Sequence, residues 1–219
     1  MYKEGQMLSA YLLKENNINY IITSNFLYAD KKVEPIKIFD LSGHLIKEIK
    51  DSNESTLKLH NYYDQNLSKN YIITANQNYV KSYDYTLNKI YHKYFDIKND
   101  KFHSDLIIKC DESIIKLIES CNDGYIRIWN FHSGLMLNKI NMVNYKNQYC
   151  LCLRDNQYLF VACILKIILI DYQNNKIIET LCYNDNPLTM EKVYVPKYGD
   201  CLISQGMGSQ PIKIWLIKQ

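Results

Sequence analysis

Apolar residues fall along this chain in short runs of about five, separated by Asn, Asp, Gly, Ser or Lys. A helical spacing is not sustained over the roughly 11 to 18 residues that would identify an amphipathic helix. Short apolar runs bounded by turn formers predict strands and turns. One run recurs with a fixed ending, an apolar residue, any residue, an apolar residue, then a large one, usually closed by Asp or Asn. It reads Ile36-Lys37-Ile38-Phe39-Asp40, Val80-Lys81-Ser82-Tyr83-Asp84 and Ile126-Arg127-Ile128-Trp129-Asn130. It continues as Ile167-Ile168-Leu169-Ile170-Asp171 and Ile212-Lys213-Ile214-Trp215-Leu216. The closing positions 40, 84, 130, 171 and 216 are 44, 46, 41 and 45 residues apart. Spacing this regular marks a repeated supersecondary unit.

Each unit predicts four strands. A further run precedes every copy, at 20–23, 71–74, 114–118, 158–163 and 201–204. Another follows four of them, at 45–49, 90–95, 135–140 and 177–181, and opening runs stand at 7–13, 57–59, 106–108, 149–153 and 193–195. The stretch from Tyr158 to Ile170, the longest apolar one, is broken by Lys166. A membrane-spanning helix needs roughly 20 residues, so this stretch predicts two adjacent buried strands. Gly43 and Gly134 follow the third strand of their units, and Gly124 precedes one, where glycine supplies positive φ in a tight turn. The units run approximately 1–50, 51–96, 97–141, 142–182 and 183–219, within one all-β domain.

The arrangement resembles the WD40 repeat, most clearly in the third unit. His103-Ser104-Asp105 is similar to the Gly-His segment of that family, with Phe102 where glycine is usual. Asp123-Gly124 followed by Tyr125-Ile126-Arg127-Ile128-Trp129-Asn130 resembles its Asp-Gly, strand, Trp-Asp ending. The resemblance implies a buried hydrogen-bond network of His103, Asp123 and Trp129, with Ser120 as a fourth member. It also implies a β-propeller of about five four-stranded blades. The remaining units depart from the motif: unit two lacks the Asp-Gly turn, unit four carries Ile170 in the aromatic place, and unit five ends Trp215-Leu216. Propellers of this family typically have seven blades, so five units imply either a smaller closed ring or an incomplete propeller. The last unit shows three strands, and only Met1 to Gly5 precede the first run. That favours a propeller that is incomplete, or completed by another chain or a second copy.

Composition narrows the function. With 47% hydrophobic residues the chain can bury a core, and 20 Tyr suit strands. The formal charge of +3 is spread along the chain without a basic block, so nucleic acid is not an expected partner. No basic segment followed by an apolar core opens the chain, and no membrane association is expected. The seven Cys are odd in number and form no CxxC pair, so they read as core thiols of a reducing, cytoplasmic setting. No metal or cofactor is expected. None of His44, His60, His92, His103 and His132 has metal-ligand spacing; His44 and His132 flank turn glycines and read as surface turn residues. Gly206-Met207-Gly208-Ser209 reads as a tight turn rather than a phosphate loop. Lys37, Lys81, Arg127 and Lys213 alternate with apolar residues, as in strands with one face toward polar surroundings.

The expected function is therefore a non-catalytic scaffold that binds protein or peptide partners on propeller faces and rim. The alternative is a propeller enzyme or small-ligand binder with its site at a central channel, and fold alone does not choose between them.

Overall fold

A computed structural model describes residues 6–15, 17–26, 35–49, 52, 55–76, 78–96, 103–111, 114–145, 147–206 and 211–217. Met1 to Gly5, Phe102 and Met207 to Ser209, the last expected from the sequence to form a tight turn, lie outside the described residues. The chain is all-β and forms five sheets of sequential antiparallel strands. The first sheet holds β1 (Gln6–Glu15), β2 (Ile18–Phe26), β3 (Ile36–Asp40) and β4 (Leu45–Ile49). The second holds β5 (Thr56–Asp64), β6 (Lys69–Asn76), β7 (Val80–Asp84) and β8 (Lys89–Tyr94). The third holds β9 (His103–Cys110), β10 (Ile115–Cys121), β11 (Tyr125–Asn130) and β12 (Met136–Asn141). The fourth holds β13 (Cys150–Leu153), β14 (Tyr158–Cys163), β15 (Lys166–Asp171) and β16 (Lys176–Cys182). The fifth has three described strands, β17 (Pro187–Val195), β18 (Gly199–Gly206) and β19 (Lys213–Leu216). The stretch expected to be two buried strands is β14 and β15, joined at Ile164-Leu165.

The chain divides into two compact units, one of residues 1–103, 113–115 and 130–135, the other of 104–112, 116–129 and 136–219. In the first unit, Leu13, Ile22, Ile36, Ile38 and Ile49 of the first sheet pack on Leu59, Ile72 and Tyr83 of the second. In the second unit, one face of the fourth sheet (Leu159, Val161, Ile168, Ile170) packs on Ile118, Ile126, Ile128 and Ile140 of the third. Its other face (Phe160, Ile167, Leu169) packs on Leu202 of the fifth, with Trp215 beside it. A sheet buried on both faces needs runs apolar at every position, which is the pattern of Ile167-Ile168-Leu169-Ile170. Each fully buried Ile or Leu contributes about 1.5–3 kcal/mol through the water it sheds.

Two local devices recur. The Asp or Asn that closes the repeated run caps the turn after it: Asp84 Oδ1 accepts from the N–H of Leu87, Asn130 Oδ1 from His132 and Ser133, and Asp171 Oδ1 from Gln173 and Asn174. Four residues on, Asn88, Gly134 and Asn175 take positive φ, a conformation that Asn and Gly adopt at low cost. Asp40 caps a shorter version, accepting from Ser42 and His44, with Gly43 at positive φ. The second device is a β-bulge at one place in each third-to-fourth-strand hairpin. Register shifts between Ile38 and Phe39, Ser82 and Tyr83, Ile128 and Trp129, and Leu169 and Ile170. Past each bulge, the large third-strand residue faces an aliphatic one: Phe39 opposite Leu45, Tyr83 opposite Ile90, Trp129 opposite Met136, Ile170 opposite Ile177.

Candidate functional site

Ser120, Asp123 and Trp129 come from one hairpin, β10–β11, and His103 opens β9, the strand beside β10 in the sheet. His103, Ser120 and Trp129 are buried. Asp123 sits in the turn before Gly124, whose φ is +86 and whose missing Cβ would lie 2.8 Å from the Val143 Cα, so glycine is required at 124 on two counts.

Asp123 gains a partner that the repeat resemblance did not supply. Its Oδ1 accepts from the Tyr125 N–H at 3.0 Å and from Arg127 Nη1 at 3.3 Å, and its Oδ2 accepts from Arg127 Nη2. Arg127 is 1% exposed, and its Nε lies 3.9 Å from Oε1 of Glu119, whose side chain is fully buried. Burial works against the charged form of Asp123, but hydrogen bonding and charge from Arg127 outweigh it and hold the carboxyl below its ordinary range. Burial likewise opposes the charge of Arg127, and Asp123 with Glu119 restores it. Alternation reads Arg127 and Lys81 as lying on a strand face toward polar surroundings. Both are buried, and the polar surroundings of Arg127 are two carboxylates rather than solvent.

A second cluster centres on His132, expected to be a surface turn residue. In the first unit it is half-buried, with Nε2 2.9 Å from Oδ2 of the buried Asp64 and Nδ1 3.2 Å from the Tyr91 hydroxyl. The rings of Tyr71, Tyr91 and Phe131 surround it edge-on. His92 Nε2 meets the His132 carbonyl, and Tyr94 donates to that of Phe131 at 2.7 Å. Desolvation pushes the Tyr71 and Tyr94 hydroxyls well above their ordinary range, so both remain neutral. Both imidazole nitrogens of His132 are engaged. A general base needs one nitrogen open toward substrate, so the geometry is that of a tie holding the β11–β12 turn to the second sheet. His44, by contrast, is exposed beside Asp40, as a surface turn residue should be.

The third feature is concave. Between β16 and β19 in the second unit lies a cavity of about 230 Å³, with Phe160, Leu169, Leu181, Leu202 and Trp215 as its apolar walls and Arg154 and Glu179 at its rim. A second hollow of about 350 Å³ shares Arg154 and Ile217 with it and adds Asp155, Lys192 and Asp200. Lys192 bridges this region, 2.8 Å from Asp200 and donating to the Arg154 carbonyl at 2.9 Å. Trp215 donates its indole N–H to Ser204 Oγ at 2.8 Å, which fixes the ring as a wall of the cavity.

Among the described residues no group of three or more His, Cys, Asp or Glu is placed to hold a metal ion. Among them, no helix is long and apolar enough to cross a membrane. All seven cysteines are free, and five are buried. Burial pushes the thiols of Cys152 and Cys163 up to about 11 and about 12, which keeps them protonated and unreactive.

Sequence reasoning missed Asp64 and Glu119. Asp64 is far from His132 in sequence and no local pattern joins them. The Asp123–Arg127 pair had a signal, an acid and a base four residues apart across an Asp-Gly turn, that strand alternation overrode. No model of a known protein family matches the chain, and no curated protein matches it.

Proposed function

We propose that this chain is a non-catalytic interaction scaffold whose five sheets are WD40-type β-propeller blades, and that its partners are proteins or peptides. The observation that carries this reading is the cavity between β16 and β19, where apolar core residues of the second unit reach the surface beneath a rim of opposite charges. Repeated sheets present such surfaces on a rigid frame, and the binding chemistry comes from side chains at their edges. The regular spacing of the closing residues and the recurring capped turns support the propeller assignment. The free cysteines, five of them buried, support a reducing, cytoplasmic setting.

Chemical cross-linking in a cell extract, followed by identification of the linked peptides, tests the reading. Cross-links to other polypeptides are expected from Lys192, which lines the hollow adjoining the cavity. A chain that gives none and instead turns over a small molecule is an enzyme, and the proposal is then wrong.

A further inference from the structure

The contacts that tie His132 to the second sheet also lay out a path for a proton. Asp64 Oδ1 accepts the N–H of Asn66 at 2.9 Å and that of Leu67 at 3.0 Å, which fixes the carboxylate, and its Oδ2 lies 2.9 Å from His132 Nε2. A carboxylate only accepts, so Nε2 carries a proton, and in the neutral ring Nδ1 is then the acceptor. The hydroxyl 3.2 Å from Nδ1 is that of Tyr91. A base that serves Tyr91 needs no nitrogen open to solvent, because the proton it takes is already bonded to it. Carboxylate, imidazole and phenol therefore stand as an activated nucleophile requires, the nucleophile bonded to a base and the base oriented by a third group. Tyr91 and His132 are both partly exposed, whereas the neighbouring Tyr71 and Tyr94 are buried. Desolvation, and after it the charge of Tyr91, keeps the proton on Tyr71.

We propose that Tyr91 is a nucleophilic modification site that takes an uncharged acyl group from a thioester, with His132 as its base and Asp64 as a positioning residue. The phenol oxygen attacks the carbonyl carbon while its proton passes to Nδ1, and the imidazolium so formed is paired with Asp64. The tetrahedral adduct then breaks its carbon–sulfur bond, and the departing thiolate takes the proton from His132. The products are an ester on Tyr91 and a free thiol. A thiol, with an ordinary pKa of about 8.5, leaves in preference to a phenol at about 10.

The surroundings select the group transferred. The rings of His92, Tyr71 and Phe131 stand 4.4, 4.8 and 6.0 Å from that of Tyr91 and offer an acyl chain apolar neighbours. The nearby carboxylates are Asp64 and Asp84, the second held by Lys69 at 3.0 Å. A phosphoryl group on Tyr91 would set its negative charge beside Asp64, which like-charge repulsion opposes.

The probe is p-nitrophenyl acetate on the full chain, with acetylated positions identified by peptide mass spectrometry. Tyr91 should acetylate at least about tenfold faster than Tyr63, Tyr194 and Tyr198, because a placed base is worth about 10²–10⁴ in rate. Those three are exposed, and among the described residues no imidazole bonds to their hydroxyls. His132→Gln should slow Tyr91 about a hundredfold and Asp64→Asn about tenfold, with acetylation of Tyr194 unchanged in both. In the intact chain the rate at Tyr91 should level off below about pH 10, where free phenols ionise, and in His132→Gln it should climb to that pH. The rank order and the intact chain's pH profile need no variant, so they decide the matter even where a variant folds poorly. Acetylation that simply follows exposure, or a rate at Tyr91 that climbs to about pH 10 in the intact chain, overturns the proposal. Release of one equivalent of nitrophenol at Tyr91 and none after it leaves the scaffold reading standing. Continued release that Tyr91→Phe abolishes makes the chain an esterase, and the scaffold reading then falls while the Tyr91 site stands.

Discussion

Replacing Arg127 by Met keeps most of the side-chain stem and removes the charge that holds Glu119 and Asp123 in the interior. At 3.9 Å and an effective dielectric of about 20, the attraction between Arg127 and Glu119 is about 4 kcal/mol. The Asp123 hydrogen bonds add to it, whereas desolvation of three charged groups opposes it. The net worth of the cluster is therefore small, but breaking it is costly, because carboxylates buried beside Arg127 lose their counterion: about 3–5 kcal/mol for Arg127→Met near pH 7. Denaturant unfolding followed by tryptophan fluorescence is the assay, since Trp129 and Trp215 both lie in the second unit. A triple variant, Arg127→Met with Glu119→Gln and Asp123→Asn, should recover most of the loss, as it buries no net charge. The pH dependence gives an independent check. In the intact chain Asp123 has a lowered pKa, so its contribution is present above about 3.8 and lost as pH falls through the folded value. Without Arg127, burial is the leading influence and raises the Asp123 pKa, so protonation relieves the variant as pH falls. Its deficit relative to the intact chain should therefore shrink as pH is lowered from neutral. A loss under about 1 kcal/mol, or a triple variant no better than the single one, would refute the reasoning.

Three further outcomes follow from the turns and the titrating groups. Asp84→Ala should cost about 1–3 kcal/mol in thermal unfolding because the Leu87 N–H and Lys69 lose a buried acceptor, and Asp84→Asn should cost less; equal losses would show that the cap is unimportant. Gly43→Ala should cost about 1–2 kcal/mol from its φ of +85 alone, and Gly124→Ala about 1–3 kcal/mol more, because its Cβ would meet the Val143 backbone at 2.8 Å; equal losses would contradict the clash. His60, desolvated in the first unit and then facing the charge of Lys58, titrates in the folded chain at about 4 rather than 6.5. The unfolded chain binds more protons in that window, so stability should fall as pH drops from about 6.5 to about 4, and His60→Gln should flatten that part of a stability-versus-pH curve. Below it, the lowered pKa values of Asp84 and Asp111 take over, and their contribution is lost as pH falls through their folded values.

Strand positions were legible because burial on one or both faces leaves apolar runs. Leu45 to Ile49 coincides with β4, and Tyr158 to Cys163 with β14. Strand ends were less legible. β5 runs on from Leu59 through Asn61, Tyr62, Tyr63 and Asp64, where pairing with β6 continues after the apolar run has stopped. The bulges left no trace, since an extra residue in one strand changes register without changing composition. Charged side chains on strands were read as facing polar surroundings, and alternation does not say what those surroundings are, because it encodes which face a residue takes and not what covers that face. Arg127 shows the difference, and so does Lys81, which is 4% exposed. The Asp64–His132 pair joins residues from separate strands and turns, and only the folded chain brings them together.

The capped turns carry a consequence for how freely these repeats can drift. Each needs an oxygen acceptor at its first position and, four residues later, a residue that tolerates positive φ. Asp84 with Asn88, Asn130 with Gly134 and Asp171 with Asn175 satisfy both demands with different residues. What is inherited from unit to unit is thus a backbone shape held by bonds to neighbours two or three residues away. The large side chain just before the cap is free to be Phe39, Tyr83, Trp129 or Ile170, so the hairpins can remain superposable after their sequences have ceased to resemble one another.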